Sequence, residues 1–310
     1  MIEVTEIRKS FNGKRALDGF SLRVEAGESF GLVGPNGAGK TTLIKILATL
    51  LTPTSGHARI SGVDVAATPR AARAFIGYLP DVPGVYQDMQ VEEFLEFFAD
   101  AFHLRGDRKT QAIERALQRG RLTERRHDYV EQLSLGLKQR LVLAKTLLHD
   151  PKVLLLDEPA TGLDPLARIE LRELLKQLNQ EGVTMLISSH ILSDLEDICT
   201  RIALIENGRN ASDAEGRTVL TLGGTQEHHT CEIEVEGPAE AASRAVAGFA
   251  GARVIAAEGS RLRCEVSGGT EQTTAFLQHL IAAGIRPIWF DTRGPGLEER
   301  YRRAFGATKV

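Results

Sequence analysis

The chain has 310 residues, 42% of them hydrophobic and 25% charged, with a formal net charge of −3. This composition excludes a wholly disordered chain and supplies material for two domains of the usual ~100–200 residues. No run approaches the ~20 apolar residues of a membrane-spanning helix, and the charge balance gives no reason to expect nucleic acid. The first residues, Met1 to Glu6, lack the basic and apolar regions of a signal peptide. Alternation at Ile2, Val4 and at Leu22, Val24 predicts strands, and Glu28–Val33 reads as a short strand ending at glycines. A helix follows, carrying Leu43, Ile44, Ile46, Leu47 and Leu50, with Pro53 and Gly56 closing the unit. Val91 to His149 reads as mostly helical, and the continuous apolar run Val153–Leu156 suits a parallel strand buried on both faces. A helix from Leu166 to Gln180 shows a stripe at Leu171, Leu174, Leu175 and Leu178, Gly182 caps it, and Val183–Ile187 is the next buried strand. Alternating strands and helices predict an α/β fold with a parallel sheet.

The passage Asn207–Gly224, rich in glycine and polar residues, reads as a linker. Beyond it the order is strand Cys231–Val235, helix Pro238–Ala247, strands at Val254 and Leu262–Val266, helix Thr270–Ala283 and strand Pro287–Phe290. That β-α-β-β-α-β order predicts a small α+β domain. The boundaries are therefore 1–222 and 225–310. Cys199, Cys231 and Cys264 form no C-x-x-C pair, which argues against a disulfide framework or zinc site and fits a reducing cytosol. The Arg-rich end, Glu298 to Arg303, reads as a solvated helix face.

Gly34-Pro35-Asn36-Gly37-Ala38-Gly39-Lys40-Thr41 matches G-x-x-x-x-G-K-[ST] between a predicted strand and a predicted helix. Glycines let backbone N–H groups turn toward a phosphate, and the helix N-terminus adds its positive end. Lys40 brings a charge to the outer phosphates, and the Thr41 hydroxyl suits Mg²⁺. The bland alternative is a glycine-rich turn. Asp157 and Glu158 end the apolar strand: Asp157 is the natural Mg²⁺ partner, and Glu158 is placed to activate a water. Alone, such a pair is a common acidic turn. His190 follows Ser188-Ser189 at the end of another strand. A lone histidine is more often structural, but ligands of open parallel sheets gather at strand carboxyl ends, which favours a γ-phosphate contact.

Leu133-Ser134-Leu135-Gly136-Leu137-Lys138-Gln139-Arg140 precedes a leucine-rich helix, with Ser134 as a helix cap at the least. With the phosphate cradle upstream and Leu156-Asp157-Glu158-Pro159 downstream, residues 1–222 resemble the ATP-binding subunits of ABC transporters. The resemblance implies a P-loop NTPase core with a helical subdomain at about 85–150 that docks on the membrane partner. It implies ATP and Mg²⁺ as ligands. Phe11 would stack on adenine, the cradle residues and Thr42 would hold the phosphates, and Thr41, Asp157 and Asp81 would serve the metal. Glu158 and His190 would be catalytic. Ser134 and Gly136 would contact ATP held by the other subunit of a homodimer or paired ATPase, and Asp164 would lie at the dimer interface.

The sequence departs from the family pattern in places. Asp81 stands where the family usually has Gln, and an ionised carboxylate cannot donate a hydrogen bond. Leu135 and Leu137 replace a Gly and a Gln of the signature. Similar signatures, and small C-terminal extensions, occur among ATPases resembling drug, antibiotic and polysaccharide exporters. The leading expectation is an ATPase that drives a permease on a separate chain, peripheral on the cytoplasmic face of the membrane. The runner-up is a soluble ABC-type ATPase acting on ribosomes or DNA, disfavoured by the single cradle and the lack of heptads. A non-hydrolysing module is disfavoured by Glu158, and a GTPase by the absence of N-K-x-D.

Overall fold

In the computed structural model, residues 1–211, 218–221 and 228–291 are described. The chain divides into two compact units, Met1–Leu222 and Gly223–Val310. The first begins with β1 (Ile2–Phe11) and β2 (Lys14–Val24), an antiparallel hairpin. Its turn is Asn12-Gly13, with φ of 45° and 81°, the left-handed pair that fits the twist of a hairpin. Next come β3 (Ser29–Val33), α1 (Lys40–Leu47), β4 (Ser55–Ile60), β5 (Val63–Asp64), α2 (Pro69–Arg73) and β6 (Ile76–Leu79). The helical part holds α3 (Val91–Ala101), α4 (Gly106–Arg119) and α5 (Leu135–Thr146), with a core of its own that includes Phe94, Leu95, Ile113, Leu117 and Leu141. The unit closes with β7 (Val153–Asp157), α6 (Pro165–Gln180), β8 (Thr184–Ser189), α7 (Ser193–Glu196), β9 (Arg201–Glu206), β10 (Arg209–Asn210) and β11 (Val219–Thr221).

Two sheets share this unit. The larger runs β10-β9-β3-β8-β7-β6, with β3, β8, β7 and β6 parallel and β11 added to β9. Every residue of β3, β7 and β8 is buried, as expected where helices cover both faces. The smaller sheet is antiparallel, β2-β1-β4-β5. Its strands β4 and β5 fall where the sequence reading had only the close of a unit. Two further expectations are corrected. The first helix stops at Leu47: Thr49 takes a φ of 63°, and Leu50, expected on the buried stripe, is 56% exposed. The supposed linker after Asn207 is partly sheet, since β10 and β11 both pair with β9. Asn210 also exchanges hydrogen bonds with the backbone of Ser21, both at 2.8 Å. The remainder of that passage, residues 212–217 and 222–227, lies outside the described residues, as does the Arg-rich end at 298–303.

Glu28 and Arg201 tie the start of β3 to β9. The guanidinium grips the 10% exposed carboxylate with both nitrogens, at 2.5 and 2.7 Å. Burial pushes the Glu28 carboxyl up, but Arg201 and the backbone N–H of Glu25 outweigh it and hold the group below the ordinary glutamate range. A depressed carboxylate contributes stability above its unfolded value and loses it as pH falls through the folded value. Arg201→Met is therefore expected to cost about 1–3 kcal/mol near neutral pH, and less at an acid pH below the ordinary glutamate range, as protonation of Glu28 sets in. Urea melts at both pH values check this. An equal loss at both would contradict it.

The second unit contains β12 (His228–Val235), α8 (Ala239–Ala247), β13 (Ala252–Glu258), β14 (Arg261–Ser267), α9 (Thr270–Ala282) and β15 (Pro287–Asp291). Its antiparallel sheet runs β13-β14-β12-β15, the split α+β arrangement that the element order predicts. Cys231, Ile233, Val235, Leu262, Cys264 and Val266 meet Ala242, Val246, Phe276 and Leu280 of the helices in one core. All three cysteines are buried free thiols.

Candidate active site

The parallel strands β3, β8 and β7 lie side by side and carry their functional residues at the carboxyl ends. After β3 the chain turns through Gly34–Gly39 and enters α1 at Lys40. Gly39 has a φ of 113°, and a Cβ there would lie 2.6 Å from the carbonyl oxygen of Ala16, so no side chain fits. Pro35, Asn36 and Gly37 form the exposed rim of the loop, while Gly34, Ala38, Gly39 and Lys40 are buried, with Thr41 and Thr42 half-buried in the first turn. The Lys40 ammonium, 5% exposed, donates to the carbonyl of Gly34 at 2.6 Å and lies 3.0 Å from Glu158 Oε1. Thr41 Oγ1 donates to Asp157 Oδ1 at 3.0 Å.

Asp157 ends β7 and is fully buried. Burial pushes its carboxyl above the ordinary aspartate range, against the hydrogen bonds from Ser188 and Thr41. Oδ1 accepts from Ser188 Oγ at 2.8 Å, whereas Oδ2 is buried without a hydrogen-bond partner. Glu158 has a φ of 50°, a strained backbone for a non-glycine residue, of the kind that clusters at functional sites. Its N–H donates to Ser188 Oγ at 2.9 Å. Its carboxylate sits between Lys40 and His190, whose Nδ1 is 2.7 Å from Oε2. Burial pushes the Glu158 carboxyl up, but His190 and Lys40 more than offset it and hold it below the ordinary range.

Lys40, Thr41, Asp157, Glu158 and His190, distant in the chain, thus meet at one sheet edge. Ser188 is the residue that sequence reasoning left without a role. It clamps Asp157 and the backbone of Glu158 together, and the signal was a polar pair, Ser188-Ser189, at the end of an apolar strand.

The other candidates lie around this centre. Asp81 follows β6, is exposed, and accepts from the N–H of Val82. It is near enough to press on Asp157 electrostatically, and with Asp157 it adds to the burial that pushes the Tyr78 hydroxyl up to about 12. Phe11, 45% exposed, ends β1 with the Lys9 ammonium 5.0 Å from its ring centre. Ser134 caps α5 by accepting from the N–H of Leu137 at 3.3 Å. No hydrogen bond or ion pair among the described residues joins Ser134 to the phosphate loop or the acid pair. Instead the start of α5 packs on the turn before α6. A Cβ on Gly136 would come 2.7 Å from that of Ala167, and buried Gln139 donates to the carbonyl of Pro159 at 3.0 Å. Asp164 caps α6 by accepting from Ala167 N–H at 2.9 Å, with Pro165 in the first helical position.

A lysine-bearing loop at a helix N-terminus, with a carboxylate pair facing it, is chemically equipped to hold a nucleotide polyphosphate and deliver a water to it. Comparison with known proteins agrees. Residues 17–161 match the ABC transporter family. The chain is 36% identical over 308 residues to the Nod factor export ATP-binding protein I of Rhizobium meliloti (strain 1021), covering 98% of this chain and 88% of that protein. Its namesake from Paraburkholderia xenovorans (strain LB400) is 36% identical over 243 residues, 78% of this chain and 79% of the relative. Among solved structures, cbiO1 from Clostridium perfringens, part of the ABC transporter complex cbiONQ, superposes with a TM-score of 0.63 at 28% identity, over 67% of this chain and 85% of that one. Identity of this order, sustained over nearly the whole length and laid on the same P-loop fold, establishes kinship: the chain belongs to the ABC transporter family, as an ATPase subunit of the exporter type.

Proposed function

We propose that two copies of this chain close on two ATP molecules and that closure drives a permease on a separate chain, exporting a drug, antibiotic, lipid or polysaccharide. The observation that carries this reading is the meeting of Lys40, Asp157, Glu158 and His190 at one strand edge, while Ser134 stands on a helix N-terminus elsewhere. A helix N-terminus suits a γ-phosphate, and a two-fold dimer lets each subunit offer Ser134 and Gly136 to its partner's ATP, with Asp164 at the interface. The names of the relatives point to export. No helix among the described residues is long and apolar enough to cross a membrane, which accords with a permease on another chain and attachment through it to the cytoplasmic face.

In this mechanism the loop from Gly34 to Gly39 and the first turn of α1, including Thr42, hold the phosphates through backbone N–H groups. Phe11 offers an exposed ring to adenine. Lys40 neutralises charge on the outer phosphates. Glu158 takes the proton of the attacking water, and His190 steadies its carboxylate and reaches the γ-phosphate. The unpartnered Asp157 Oδ2, beside the Thr41 hydroxyl, is a hard oxygen set that fits Mg²⁺, with Asp81 on the neighbouring loop. The ion, when bound, neutralises phosphate charge.

The test is a mixing experiment in a Glu158→Gln background, which holds ATP in place. Ser134→Ala and Lys40→Ala are each expected to lose ATP-dependent dimerisation by light scattering. Mixed together they regain it, because one composite site in the heterodimer is intact. Normal ATP-driven dimerisation of either variant alone would refute the shared site.

A further inference from the structure

Among the described residues, the sheet of the second unit has one face covered by helices and one face open. Cys231, Ile233 and Val235 of β12 and Leu262, Cys264 and Val266 of β14 turn to α8 and α9 and are buried. The two-residue repeat of a strand therefore sends Glu232 and Glu234 of β12, and Arg261 and Arg263 of β14, to the opposite face. There Arg261 pairs with Glu234 at 3.3 Å and Arg263 with Glu232 at 3.6 Å, following the strand register. The centre of the face thus carries an acidic column, Glu232 and Glu234, beside a basic one, Arg261 and Arg263, flanked by Glu258 of β13 opposite Arg261 and, further along, by the pair of Arg253 with Glu265. On β15, Ile288 and Trp289 are 69% and 47% exposed. A hollow of about 750 Å³ opens over the columns, its lining including Glu232, Glu234, Glu258, Arg261, Arg263 and Trp289.

We propose that the partner for this face is the same face on a second copy of the chain. A two-fold axis lying between two stacked sheets and parallel to their strands exchanges left and right. It sets the basic column of each copy over the acidic column of the other, while a two-fold across the strands would set like charges together. Charge complementarity therefore selects one arrangement, and that arrangement is self-complementary. Packed sheets stand about 10 Å apart and fill the gap with side chains from both layers. The hollow is the half of that gap that one copy leaves open. Four strands of this length present a face of roughly 20 by 20 Å, so the contact belongs to the weak class and is screened by salt.

Sedimentation of the full chain without nucleotide tests this separately from ATP-driven closure, whose failure is read from the Ser134 and Lys40 mixture. The wild type self-associates weakly at high concentration and less so as salt rises. R261E/R263E, with four acids in the two central columns, and E232R/E234R, with four bases there, are each monomeric and keep wild-type ATP affinity, which reports an intact first unit. Mixed, they form a one-to-one heterodimer at least about tenfold tighter than the wild-type homodimer. The fourfold variant E232R/E234R/R261E/R263E keeps its internal pairs and remains informative if either single-charge variant fails to fold. It self-associates as the wild type does. A mixture that stays monomeric, or a fourfold variant that does not self-associate, overturns the proposal; a tail segment or another protein would then cover the face.

Discussion

Glu158→Gln is expected to bind ATP and hydrolyse it about 10²–10⁴-fold more slowly, the usual cost of a lost general base. The amide matches the carboxylate in size and can still accept a hydrogen bond beside His190 and Lys40, so the strained backbone at φ 50° and the bond to Ser188 have no reason to change. What it cannot do is take a proton from water. Lys40 loses its ionic partner at 3.0 Å, leaving its charge more available to phosphates, so ATP affinity is expected to hold or rise. The variant therefore accumulates as an ATP-bound dimer. Phosphate release in steady state gives the rate, and light scattering with ATP gives the dimer. Turnover near wild type would remove Glu158 from the role of base and direct attention to His190.

Lys40→Ala is expected to lose tight ATP binding. A charge-assisted hydrogen bond contributes about 1.5–3 kcal/mol, or roughly 10–150-fold in affinity, and more where the phosphates are desolvated. The 5% exposure of Lys40 puts it in that desolvated regime. The substitution also strips Glu158 Oε1 of the ammonium beside it, leaving a half-buried carboxylate held at its other oxygen by His190 and Thr161. Some loss of folding stability therefore accompanies the loss of affinity, and the two are separable by titrating ATP calorimetrically well below the melting temperature. Unchanged affinity would sink the assignment of the loop.

Several features of this protein are legible without coordinates because they are local. The loop Gly34–Thr41 declares itself by composition, since glycine at Gly39 answers a backbone that admits no Cβ. The continuous run of β7 and the stripe of α6 report, residue by residue, which sides meet apolar neighbours. The turn between β1 and β2 is written in the Asn12-Gly13 pair. Other features were decided only when the chain closed on itself. Val33 lies beside Ser189, and Asp157 beside Ser188, through parallel pairing of strands far apart in sequence. No periodicity carries that register, so Ser188 was not singled out, and the Lys40–Glu158–His190 contact existed only as an expectation from strand ends. The stop of α1 before Leu50 and the recruitment of Arg209–Asn210 into the large sheet have the same origin. Propensity and pattern describe what a segment prefers next to water or next to an apolar wall. Which strand supplies the wall, and which buried acid meets which hydroxyl, follows from long-range pairing, whose energy depends on partners that a local stretch of sequence does not contain.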